Sequence, residues 1–169
     1  MRLRPITLTE AREGVALWHS HHKPHLQHRL AVGAFVDGAM VAVCVWEHPK
    51  ARMLASGGWC WELSRLACGP VAPRFTASRL VGATTKAVLA IGITRCISYT
   101  RADERGTCYR AANWHPAALV PAEDWSRRRM SSPSSGWLPG LYAPSTERVD
   151  RVRWERGPDA AAADWKLVA

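Results

Sequence analysis

The order of apolar patterns predicts an α+β fold: a mixed central sheet with flanking helices and an early β-hairpin. Three observations carry this reading. A tight hairpin pattern occupies residues 29–49. A helix pattern rich in small residues follows later, between two short strand patterns. No run of strand–helix–strand units precedes the hairpin, which argues against a doubly wound sheet.

The first residues, "MRLRP", read as a short strand. Thr9 then reads as a helix N-cap, with Glu10 and Glu13 in the first turn. Ala11, Val15, Leu17 and Trp18 supply an imperfect apolar face. Pro24 forbids helical geometry at Lys23, so the helix is expected to end near His22. The hairpin turns at Asp37-Gly38, and "ARMLASGGW" reads as a loop. "WCWELSRLAC" reads as a strand, with Trp59, Trp61, Leu63 and Arg65 on one face and Cys60, Glu62, Ser64 and Leu66 on the other. Residues 75–91 form the small-residue helix, closed by Gly92. "ITRCISYT" is a further strand, and "ADERGTCYRAANW" a loop and short helix. After about residue 115 the composition turns rich in Pro, Ser and Gly. "RVDRVRWER" is a candidate last strand before a loose tail.

A length of 169 residues suits one domain. The division expected is a main domain over 1–120 and a basic Pro/Ser-rich extension, 121–169, packing on that domain. The chain is 47% hydrophobic, enough for a real core, and its formal charge of +9 favours a polyanionic partner. Nine tryptophans suit cores, interfaces and base stacking equally. The five cysteines include no CxxC pair, which argues against a zinc ribbon. No signal peptide precedes the first charges and no apolar run approaches membrane-spanning length. The expectation is a soluble cytoplasmic protein with no membrane partner; oligomeric state is not legible.

Residues 18–29, "WHSHHKPHLQHR", hold five of the seven histidines. With helix running to His22, His19 and His22 share a face. His19, His21 and His22 are candidate metal ligands, since two or three imidazoles can meet on one ion. The competing reading is a histidine-rich helix end, favoured by the helix dipole when protonated. Arg65 stands in an apolar strand and must find an anion or the surface. A phosphate suits its planar fork, and an ion pair with Glu62 or Asp103 is the structural alternative. Thr76 and Ser78, at the start of their helix, can bond a phosphate or cap the helix. Asp103, at a strand end beside Tyr99, is a candidate general base or else a helix N-cap. Arg127, Arg128 and Arg129 with Trp125 and Trp137 would make a phosphate-plus-stacking surface for DNA.

The piece "ELSRLACGPVAPRFTASRL" resembles the strand-to-helix passage of the GNAT acyltransferases, where a helix start binds the pyrophosphate of acetyl-CoA. Pro70 and Pro73 each remove an N–H donor from it here. More narrowly, "HSHHKP", the hairpin, "ELSRLAC", "CISYT" and "ERGTCYRAANW" follow the order seen in phage and prophage proteins of the Mom-like DNA-modification group. The resemblance spans roughly residues 5–116. It implies a divergent GNAT fold, an acetyl-CoA-like donor, an iron (or zinc) ion, and hypermodification of DNA bases that protects against restriction. It places the family's site on His21 and His22, where the family commonly shows His-Tyr, and on Arg65 and Ser78. It adds Tyr109 and Asn113, four apart on one helix face, as cofactor contacts.

The expected function is therefore acyl-type transfer to a nucleobase amino group, with DNA as partner in the host cytoplasm. His21, His22, Asp103 and Tyr99 supply proton transfer, and Arg65 and the start of the 75–91 helix hold the donor. Two alternatives stand beside it: a non-catalytic nucleic-acid-binding protein of the same fold, and a small-molecule N-acetyltransferase.

Overall fold

The computed structural model describes residues 1–19, 28–55, 57–122 and 149–168. In chain order the elements are β1 (Arg2–Pro5), α1 (Leu8–Trp18), β2 (Leu30–Val36), β3 (Ala39–Glu47), α2 (Arg52–Ala55) and β4 (Cys60–Cys68). They continue with α3 (Thr76–Ala90), β5 (Arg95–Arg101), α4 (Thr107–Ala111), β6 (His115–Val120), β7 (Arg151–Arg156) and a 3-10 turn over Trp165–Val168. The strands form one sheet in the order β1-β2-β3-β4-β5-β7-β6. Only β4 and β5 pair in parallel, as α3 between them requires. β7 lies between β5 and β6, so the stretch after residue 121 supplies a strand to the same sheet.

The hairpin forms as expected. Asp37 (φ 49°) and Gly38 (φ 83°) both take left-handed backbone, the geometry a two-residue turn needs between twisted strands. One face of the sheet packs on α3 and α4. There Trp46, Trp114 and Trp154 are fully buried with Leu63, Leu80, Val81 and Val88. Two of these indoles donate to threonine hydroxyls, Trp114 to Thr85 (3.1 Å) and Trp154 to Thr100 (3.0 Å). On the other face α1 lays Ala11 and Val15 over Val43, Val45 and Ala67. It packs on β2, β3 and β4.

Several expectations are corrected. Thr7, not Thr9, caps α1. Its hydroxyl accepts from the Glu10 N–H, and the Glu10 carboxylate accepts from the Thr7 N–H (2.7 Å). The helix ends at Trp18, before Pro24 can act, because His19 takes extended backbone (φ −92°, ψ 116°). His19 is thus outside α1, and His22, expected to share a helix face with it, lies outside the described residues. Leu17 is exposed, not part of the apolar face. The loop at 51–59 contains α2. β6 is an edge strand that composition concealed, because Pro116 breaks the strand signal and is tolerated only at an edge. Asn113 lies beyond α4 in left-handed backbone (φ 61°), so it shares no helix face with Tyr109.

The most consequential correction concerns β4. The pairing with β3 slips between Val45↔Arg65 and Trp46↔Leu63, which leaves Ser64 as an extra residue. The bulge reverses the alternation beyond it. Trp61, Leu63 and Leu66 all join the core on the α3 side. Glu62, Arg65 and Ala67 face the α1 side, opposite Glu47, Val45 and Val43.

Candidate active-site cleft

β4 and β5 pair only over Cys60–Glu62 and Arg95–Ile97. Beyond that point each strand keeps its outer partner, β3 or β7, but the two part from one another. A cavity of about 710 Å³ fills the opening, lined by Leu63, Ser64, Leu66, Ala67 and Cys68 of β4 and by β5 from Ser98 to Arg101. The start of α4 closes one side, and Trp18, His19 and Arg151 stand at the other. Gly69 follows β4 under the Trp18 indole. A Cβ there would lie 2.9 Å from the ring, so the glycine permits this close approach.

The floor of the cleft is a buried polar chain. The Ser98 hydroxyl donates to the Leu63 carbonyl (2.7 Å), and the Tyr109 hydroxyl lies 2.7 Å from the Ser98 oxygen. With the Ser98 proton committed, Tyr109 is the donor of that second bond. Burial raises the Tyr109 pKa and keeps the phenol protonated. Its ring stacks on Trp154 at 5.6 Å.

The α1 side of the sheet, past the area α1 covers, is charged. Register puts Tyr99 opposite Arg153, Arg101 opposite Arg151 and Ile97 opposite Glu155 on this face. Glu155 is fully buried and held by Arg95 through two bonds (2.9 and 2.7 Å) and by the Ala161 N–H (2.7 Å). Arg153 Nε lies 2.7 Å from the same carboxylate, an ion pair without hydrogen-bond alignment. Burial alone would raise the Glu155 pKa, but these donors and cations hold it below its ordinary value. Glu62 is buried beside Glu47 and accepts from the Lys50 N–H (3.1 Å). Burial outweighs that bond and raises its pKa. Tyr99 is half-buried, and burial first, then Glu62, raises its pKa.

The residues singled out from sequence divide accordingly. Tyr99, Tyr109 and His19 line the cleft. Arg65 adjoins it on the α1 side, half-buried, with one terminal nitrogen donating to the Ser64 carbonyl (2.6 Å) and Nε without a partner. It is therefore not grouped with Thr76 and Ser78, which lie outside the lining. The Thr76 hydroxyl donates to the Pro73 carbonyl (2.7 Å) and that of Ser78 to the Phe75 carbonyl (3.0 Å). Asp103 is exposed and held by the Arg101 guanidinium through two bonds (3.0 and 2.9 Å). It does not cap α4, whose N-cap is Gly106. Asn113 is exposed outside the cleft. His21, His22, Trp125, Arg127, Arg128, Arg129 and Trp137 lie outside the described residues. Among the described residues no group of three His, Cys, Asp or Glu side chains is placed to hold a metal. Sequence reasoning missed Ser98, Trp18 and Arg151, and it treated Glu62 only as an ion-pair partner. A carboxylate inside the apolar run "WCWELS" was the available signal.

The fold that carries this cleft is similar to that of several solved structures. An acetyltransferase from Bacillus subtilis in complex with CoA is 12% identical with a TM-score of 0.62, covering 92% of this chain and 97% of that one. The ribosomal-protein-S18-alanine N-acetyltransferase from Escherichia coli is 14% identical at a TM-score of 0.62, with 95% and 96% covered. A GNAT superfamily phosphinothricin acetyltransferase from Sinorhizobium meliloti in complex with AcCoA is 12% identical at 0.62, with 92% and 87% covered. The fold is that of the GNAT acetyltransferases. No curated protein matches the sequence. The chain belongs to the Mom protein family, which it matches over residues 1–121. Among the described residues no helix is long and apolar enough to cross a membrane.

Proposed function

We propose that the protein transfers an acyl-type group from a CoA thioester to an amino group of a nucleobase in DNA. The observation that supports this most is the cleft itself. It joins a neutral, hydrogen-bonded floor at Ser98 and Tyr109 to a charged face at Tyr99, Arg101 and Arg151. The edge that β4 presents to the opening, from Leu63 to Cys68, suits an extended, amide-bearing arm bound like an added strand. Leu63, Ser64 and Leu66 to Cys68, with Ser98–Thr100, would hold the donor, and Arg74 stands as a cation before α3. When bound, the thioester supplies an activated carbonyl.

The protein's own groups supply the rest. As the C–N bond forms the C–S bond would break, and CoA would leave as the thiol on taking up the proton the amine gives up. His19 lines the cleft and is the acceptor that relays this proton; the role passes to it among the described residues because Asp103 is exposed and locked by Arg101. Tyr99, kept protonated, donates a hydrogen bond where charge develops on the carbonyl oxygen. Direct attack is favoured over a cysteine-bound intermediate. Both cleft thiols are neutral at pH 7, with burial pushing Cys108 up to about 11 and raising Cys68. Family membership and the +9 charge support DNA as the acceptor. The base would have to leave its stack to enter.

One observation favours a non-catalytic binding protein instead: Pro70, Pro73 and the committed hydroxyls of Thr76 and Ser78 reduce the donors at the start of α3. Thermal denaturation with acetyl-CoA and other CoA thioesters decides between them. A rise in Tm with at least one donor, lost on Ser98→Leu, is expected; no shift with any donor contradicts transfer.

A further inference from the structure

The bulge at Ser64 turns Arg65 onto the same face as Tyr99, Arg101, Arg151 and Arg153. Cations that share one face of a sheet ordinarily alternate with carboxylates. Here Glu155 is consumed by Arg95 and Arg153, and Asp103 by Arg101. Arg65 and Arg151 form no salt bridge among the described residues. The Arg65 Nε is buried with no hydrogen-bond partner. Arg151 is exposed and stands in the lining of the cleft. Burial lowers the Arg65 pKa; Glu47 and Glu62 oppose that, and Arg151 adds a smaller lowering. Two guanidiniums on one face at the parting of the strands, one with an unsatisfied buried N–H, suit an anion between them.

We infer that Arg65 and Arg151 form an anion site on the acceptor side of the cleft, gripping a phosphate of the nucleic-acid strand beside the base that enters. This rests on the acceptor proposed above, and it moves Arg65 from donor binding to acceptor binding. The α1 side is the right side for it. The donor's anionic end would lie toward α3, on the opposite face from Arg65. A phosphate held at the mouth fixes the strand's register while carrying no sequence information, so the site predicts backbone positioning and tolerance of flanking sequence.

The test uses the full chain with Arg151→Gln, Arg65→Lys, Arg65→Gln and the double Gln variant. Arg151 is exposed, so Arg151→Gln keeps the test valid if Arg65→Gln fails to fold. Fluorescence anisotropy on a single-stranded DNA oligonucleotide across salt concentrations should show the log–log slope falling by about 0.7 in each Gln variant. The double variant should fall no further, since both arginines hold one phosphate, and Arg65→Lys should recover part of the loss. Inorganic phosphate should raise the Tm of the wild type and not of Arg151→Gln, while the CoA-induced shift persists in Arg151→Gln. Unchanged slopes, an undiminished phosphate shift, or loss of the CoA shift with DNA binding intact would overturn the assignment. If the wild type binds no nucleic acid but phosphate still acts through Arg151, the anion site is supported and the DNA acceptor is overturned.

Discussion

The two faces of the sheet differ sharply although the same strands build both. Along β5, Cys96, Ser98 and Thr100 enter a core filled by three buried tryptophans, while Arg95, Tyr99 and Arg101 point to the charged side. On the α3 side the buried hydroxyls of Ser98, Thr84 and Thr85 are hydrogen-bonded, and burial there is almost wholly favourable. On the α1 side Glu62 and Glu155 are buried carboxylates. The ion pairs of Glu155 contribute little net stability but are costly to break. One face therefore reads as the source of stability, the other as a surface kept polar for a ligand.

That contrast can be broken at its apolar end first. Gly106 has φ +57°, and a Cβ there would fall 2.0 Å from the Trp154 ring. Gly106→Ala should cost more than about 3 kcal/mol or yield insoluble protein. Gly38→Ala, at φ +83° with open space around it, should cost only about 1 kcal/mol. Thermal melts of the pair give the comparison, and equal losses would contradict the packing described.

On the charged side, Glu155→Gln should cost about 3 kcal/mol by leaving Arg95 and Arg153 without their anion. The pH dependence has a definite sign. A folded pKa below the unfolded one gives stability that is full above the unfolded value, about 4.5, and lost as pH falls through the folded value. The Gln variant should lack that acid-side loss in melts from pH 7 to pH 3. Glu62 behaves oppositely and with a smaller effect. Its raised pKa means that ionisation in the folded state is disfavoured, so stability declines as pH rises past about 4.5. Glu62→Gln should melt above wild type at pH 7 and equal to it at pH 4; a lower Tm at pH 7 would show that the carboxylate is stabilising.

The sequence reading succeeded where a local residue dictates geometry. Asp37-Gly38 specified the hairpin, and the small-residue helix stood between two strands as read. It failed where tertiary contacts decide. Nothing in "ELSRL" announces that Ser64 is extra, because a bulge is set by pairing with β3. Every face assignment after it was therefore reversed, and with it the side on which Arg65 acts. Thr7 and Thr9 are equally good caps in isolation; the capping box with Glu10 selects Thr7. Tyr109 and Asn113 looked like one helical pair because α4 offers no stop signal before Ala112. Of the candidate site, Tyr99 and Tyr109 were legible from their strand and helix, whereas Ser98 and Arg151 join it only through the parting of β4 from β5 and the insertion of β7.

The central claim is modification of a base, and nucleoside mass spectrometry tests it most directly. DNA from cells expressing the wild-type chain should yield a nucleoside of increased mass, absent with Tyr99→Phe and His19→Ala chains expressed at equal soluble level. Unmodified nucleosides from the wild type, with CoA binding and soluble expression verified, would contradict the account.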